Sequence, residues 1–173
     1  KRTENRKDFS LEPTGKTMLD YISESSLEVV AIGKIEDIFV GRGITKAIHT
    51  KNNESGIEAT LSEIQRDSKG LIFTNLVDFD MLYGHRNNIE GYGNALEDFD
   101  SKLPEILSAL KPDDLLMISA DHGCDPSTES TDHSREYVPL LVYHKYIKPS
   151  NLESMIGFNI IAKTILDVLN IDN

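Results

Sequence analysis

Leu115-Leu116-Met117-Ile118-Ser119-Ala120-Asp121-His122-Gly123 is the stretch that decides the fold. An apolar run of strand character stops abruptly at a carboxylate, an imidazole and a glycine. A second run, Leu71-Ile72-Phe73-Thr74-Asn75-Leu76-Val77, ends the same way, in Asp78-Phe79-Asp80 with His85 just beyond. Continuous apolar strands of this kind belong to sheets buried on both faces. In open α/β sheets, function gathers at the carboxyl ends of the strands. That is where these acidic residues and histidines fall.

Outward from these runs the chain alternates between helical and extended patterns. Residues 16–25 place Met18, Leu19 and Ile22 on one helical face, and 27–32 form a β-branched strand ending at Gly33. The spacing then predicts a loop running into a short extended piece over 33–39 and a glycine-punctuated loop over 41–53. A helix follows over 54–67, with Gly70 in the position of a helix stop. Ile89, Tyr92, Leu96, Phe99, Leu103, Ile106 and Leu110 mark a long amphipathic helix, which Pro104 is expected to bend or divide. Residues 137–143 predict a further strand, near a sheet edge or beginning after Pro139, and 158–169 a closing helix. The fold class is therefore α/β, a mostly parallel sheet flanked by helices.

The 173 residues suffice for one sizeable core. With 18 basic against 29 acidic side chains, the net charge is −11. That charge disfavours nucleic acid and anionic lipid as partners and suits a site for divalent cations. No run approaches the ~20 apolar residues of a membrane span. The single cysteine, Cys124, forms no disulfide within the chain, which fits a reducing, cytoplasmic setting. Cys124 reads as a small loop residue, since nothing beside it marks an activated thiol. The opening, Lys1-Arg2-Thr3-Glu4-Asn5-Arg6-Lys7-Asp8, has no initiator Met and no periodicity, and suggests a cut within a longer protein.

Asp80, His85, Asp121, His122 and His133 are the candidate metal ligands. Imidazole mixed with carboxylate suits Zn, Mn or Fe, whereas Mg or Ca favours an all-oxygen cage. Asp121 and His122 face opposite ways on a regular strand. At a strand end that turns through Gly123 they can splay toward two neighbouring ions, which in such sites lie about 3.5–4 Å apart. His133 returns from the polar loop 125–132 and can complete one shell. Asp78 reads as a supporting or loop-capping residue, and His49 and His144 as ordinary hydrogen-bonded histidines. Lys34, directly after a strand and a glycine, is a candidate point charge for a substrate phosphate.

Three motifs carry a family resemblance: Asp-Phe-Asp-Met-Leu-Tyr-Gly-His (78–85), Ser-Ala-Asp-His-Gly-Cys-Asp-Pro (119–126) and Thr-Asp-His-Ser-Arg-Glu-Tyr-Val-Pro-Leu-Leu (131–141). Together with 5–11 and 33–39 they resemble phosphopentomutases of the prokaryotic type, in the alkaline phosphatase superfamily. The resemblance covers the carboxyl-terminal half of such an enzyme. It implies that residues 1–12 leave a cap domain and that 13–173 form the carboxyl-terminal half of the catalytic core. Two Mn2+ ions are implied, with Zn2+ accepting the same donors. Asp80, His85 and His133 would hold one ion, and Asp121 with His122 would help hold the other. Lys34 matches a position near the substrate's phosphate.

The implied reaction exchanges phosphate between carbons 1 and 5 of ribose or deoxyribose, in nucleoside catabolism, through a phosphothreonine enzyme. Nothing here matches that threonine or the aspartate beside it. Thr74, Thr128 and Thr131 are elsewhere in the pattern, so these residues alone are expected to be inactive without an amino-terminal half. Cofactor-independent phosphoglycerate mutases, phosphatases or sulfatases of the same superfamily, and a non-catalytic metal-binding α/β module are the alternatives.

Overall fold

The computed structural model describes residues 10–172. Most of the expected cap-exit segment, 1–12, lies outside the described residues. The elements run α1 (Met18–Glu24), β1 (Glu28–Ile32), α2 (Ile35–Phe39), β2 (Lys46–Ile48), α3 (Asn53–Ile64) and β3 (Gly70–Thr74). After two irregular turns come α4 (Ile89–Ala109), β4 (Leu116–Ser119), β5 (Leu140–Tyr143) and α5 (Asn159–Val168).

The chain forms two compact units. The first comprises the described residues up to Lys51, then Glu58–Asn75, then Met155 onward. Its sheet is parallel, in the order β2-β1-β3. Val29, Val30, Ala31 and Ile32 of the central β1 are buried, as the apolar run requires of a strand covered on both faces. Leu19 and Ile22 of α1, Val29 of β1 and Leu166 of α5 form the core cluster, with Phe39, Leu71 and Phe73 packed against it. Full burial of such a side chain contributes about 1.5–3 kcal/mol.

Three local expectations for this unit change. Residues 35–39 form the short helix α2 where an extended piece was expected. Five residues are too few to show a period, yet burial of Ile35 and packing of Phe39 on the core reward the helical turn. Glu36 and Asp37 also complement its positive amino-terminal end. Lys46–Ile48, read as loop, adds to the edge of β1 as β2. Gly70 stops no helix: α3 ends at Ile64, and Gly70 opens β3. It pairs with Glu28 at φ +142°, so close that an added Cβ would lie 1.9 Å from the Glu28 carbonyl oxygen.

The second unit comprises Asn52–Ile57 and Leu76–Ser154. Its strands β4 and β5 pair antiparallel, with Ile118 opposite Leu141 and Ser119 opposite Leu140. The strand does begin after Pro139, whose carbonyl accepts from the Ser119 hydroxyl at 2.8 Å. Helix α4 runs unbroken through Pro104. The proline removes one amide donor, and the Asp100 carbonyl it would have served lies on an exposed residue that water can satisfy. Among the described residues no helix is long and apolar enough to cross a membrane.

Candidate metal centre

All five candidate ligands belong to the second unit. Asp80 lies in a single π-helical turn, Phe79–Tyr83, and His85 in the 3-10 turn that follows, Gly84–Arg86. Single π turns are often found at functional sites because they re-aim side chains. Asp121 and His122 come directly after β4. An antiparallel bridge between Gly123 and Ser134 then brings the polar loop back, with the Ser134 amide donating to the Gly123 carbonyl at 3.0 Å. That bridge delivers His133 beside His122. Their rings stack with centroids 3.6 Å apart, and His85 stacks on His133 at 4.9 Å.

Asp80 is the hub. Its Oδ1 lies 3.1 Å from His133 Nε2, 3.3 Å from His85 Nε2 and 3.9 Å from His122 Nε2. Ligand atoms of Asp80, His122 and His133 all lie within 4.8 Å of one another. Asp121 sits at the rim, 70% exposed, with Oδ1 3.7 Å from His122 Nε2. His122 is thus nearly equidistant from the Asp80 and Asp121 carboxylates.

The second nitrogens decide what the first ones offer. His85 Nδ1 bonds the Thr131 carbonyl at 2.5 Å, and His122 Nδ1 bonds the Gly123 carbonyl at 3.0 Å. A carbonyl only accepts, so both Nδ1 atoms carry the proton and both neutral rings present a bare Nε2 lone pair. Lone pairs of two imidazoles therefore converge on a carboxylate oxygen, which only accepts when ionised. Such a cluster of acceptors calls for a shared cation, and backbone carbonyls on the far ring nitrogen are the usual support of metal-bound histidine. The donor set fits a divalent ion.

Support beneath the turn is close-packed. Gly84 is buried, and an added Cβ would lie 2.3 Å from Cys124 Sγ. Burial first, then the Asp80 and Asp125 charges, pushes the Cys124 thiol up from its ordinary range, away from the thiolate form. Phe79 stacks obliquely on Tyr92 of α4 at 5.6 Å. Asp78 turns away from the histidines: its Oδ2 accepts from the Asn53 amide at 2.7 Å, and its own amide donates to Asn53 Oδ1. That is a capping role at the start of α3.

The remaining sequence candidates lie elsewhere. Lys34 precedes α2 in the first unit and directly follows β1 and Gly33. His49 pairs with Glu36 at 3.2 Å, and His144 Nδ1 accepts from the Tyr146 amide. Sequence reading missed the carbonyls of Gly123 and Thr131 and the side chain of Asn87. Backbone acceptors leave no mark in residue type, and only the positive φ favoured by asparagine hints at Asn87.

With an acceptor-rich Asp–His cluster on an α/β frame, the class is set. The chain belongs to the metalloenzyme superfamily, whose profile matches residues 15–173. Within that class it is similar to the phosphopentomutase of Acetivibrio thermocellus, at 60% identity over 100% of this chain and 45% of the relative. The phosphopentomutases of Clostridium kluyveri (58% identical, 99% of this chain, 44% of the relative) and Clostridioides difficile (54%, 98% and 44%) are similar in the same way. The chain spans less than half the length of the curated relatives it matches.

Proposed function

We propose that these residues supply the divalent-metal half of a phosphopentomutase, an isomerase that moves phosphate between carbons 1 and 5 of ribose or deoxyribose. The observation that carries this reading is the convergence of the bare Nε2 atoms of His85 and His122 on Asp80 Oδ1, with His133 Nε2 beside them. Similarity to phosphopentomutases along the whole chain supports it. In this proposal Asp80, His85 and His133 hold one Mn2+. His122, poised between two carboxylates, and Asp121 contribute to a second ion whose other ligands lie outside these residues. When bound, the metal pair offsets the charge of a transferring phosphoryl group.

The chain's own groups have separate tasks. Thr131 and Gly123 carbonyls hold the His85 and His122 rings with Nε2 turned inward. Asp80 keeps the three rings clustered, and Lys34 meets the sugar phosphate as a point charge. Residues 13–173 are read as the carboxyl-terminal half of the catalytic core, working with an amino-terminal half in a cytoplasmic enzyme.

A chimera tests the reading. The matching stretch of the Acetivibrio thermocellus relative is replaced by these 173 residues, and conversion of ribose 1-phosphate to ribose 5-phosphate is assayed with Mn2+. Turnover is expected in the chimera and none from the 173 residues alone. A folded chimera that binds Mn2+ yet leaves the substrate unchanged, or only releases inorganic phosphate, overturns it.

A further inference from the structure

The turn that carries His85 also grips the loop that carries His133. Asn87 closes this turn with φ +50°, a backbone conformation that asparagine tolerates better than most residues. Its Nδ2 donates to the carbonyls of both Thr128 and Ser130, the latter at 3.2 Å. With His85 Nδ1 on the Thr131 carbonyl, two side chains of one turn hold three carbonyls of a loop more than 40 positions away. Within 125–132 the other bonds among the described residues are local: Ser127 on the Asp125 carboxylate, Thr128 on the Asp125 carbonyl and the Asp132 amide on the Ser130 hydroxyl. The Gly123–Ser134 bridge anchors the loop only beyond His133.

We infer that Asn87 is a positioning residue of the metal centre: its amide clasps the 128–130 backbone and so fixes where His133 meets Asp80. This rests on the metal reading proposed above. The clasp is specific to a donor. Carbonyl oxygens accept only, so a carboxylate of the same shape would repel them. Asn87 contacts neither Asp80 nor an imidazole in any bond described, so its effect on a bound ion must pass through the loop.

The test uses the full chain with two variants. Asn87→Asp keeps the shape and removes the donor. Asn87→Gly removes the side chain, keeps the positive φ accessible, and controls for the charge that aspartate adds. Mn2+ affinity is measured by titration calorimetry for the wild type, both variants, His133→Ala, and the double variants. Each Asn87 variant is expected to weaken Mn2+ binding about 10–100-fold, as loss of an outer-shell support does. In the His133→Ala background the same change should cost less than about twofold, because the residue it acts through is gone. Hydrogen exchange of amides 128–132, measured without metal, should quicken in both variants.

Unchanged affinity in both Asn87 variants, or full additivity with His133→Ala, overturns the inference. Wild-type chain that takes up no Mn2+, or His133→Ala that binds as tightly as wild type, instead sinks the metal reading. The exchange rates then still judge the clasp, and unaltered exchange rejects it.

Discussion

His133 lies face to face with His122, ring centroids 3.6 Å apart and planes within 17° of parallel. Two stacked imidazoles, each with a nitrogen near the same Asp80 oxygen, repel if both are protonated. A cation placed among them removes the need for any proton there. In the proposed metal reading the two rings serve together as ligands of that cation.

Removal of the hub should therefore disable the centre more than removal of any single ring. Asp80→Asn keeps the shape and deletes the charge. Its Mn2+ affinity should fall by more than the ~10–100-fold that outer-shell losses cost. Calorimetric titration checks it, and wild-type affinity in the variant would contradict the assignment of Asp80 as hub.

Metal should also hold the second unit folded. An ion at about 100 times its Kd adds about 2.7 kcal/mol by linkage. Thermal melting with and without Mn2+ should show the rise, and chelator should reverse it. The same comparison in Asp80→Asn should show almost no shift.

The Gly84–Cys124 contact predicts a rescue. Gly84→Ala drives its new methyl into Cys124 Sγ, displacing the turn that bears Asp80 and His85, and should weaken Mn2+ binding at least about tenfold. Cys124→Ala removes the obstructing sulfur, and the double variant should recover most of the loss. Failure of the double variant to recover would show that the contact does not set ligand spacing.

Acid should unfold the first unit through two carboxylates. Burial alone would raise the Asp20 carboxyl, but the Thr17 amide and hydroxyl and Arg42 outweigh it and the net shift is downward. Glu63 behaves alike, burial being outweighed by Lys46 at 2.6 Å and Arg66 at 2.7 Å. A depressed folded-state pKa contributes stability above the ordinary carboxylate range, lost as pH falls through the folded value. Resistance to urea unfolding should fall below about pH 4. An Asp20→Asn, Glu63→Gln chain should be less stable at pH 7 and less sensitive to acid, and an unchanged acid slope would refute the assignment.

Gly70→Ala should destabilise by more than about 2 kcal/mol, since the methyl meets the Glu28 carbonyl at 1.9 Å in a backbone region closed to alanine. Chemical denaturation reads it directly.

Periodicity alone located most of the architecture. The runs at 27–32, 71–77 and 115–120 became β1, β3 and β4, and the stripe from Ile89 to Leu110 became α4, because long repeats of apolar residues are dictated by burial. The five ligand candidates stand out in the sequence as carboxylates and imidazoles after strand ends, and of these the structure brings Asp80, His122 and His133 together. Short elements were not legible. β2 and α2 exist through contacts with β1 and the core, which three or five residues cannot announce. Gly70 read as a helix stop because a glycine's reason, here a neighbouring carbonyl, lies in another strand. How β4 and β5 pair, which ring nitrogen faces inward, and what Asn87 holds were likewise settled only by tertiary structure. Each depends on where a backbone carbonyl comes to rest, and every residue carries the same carbonyl.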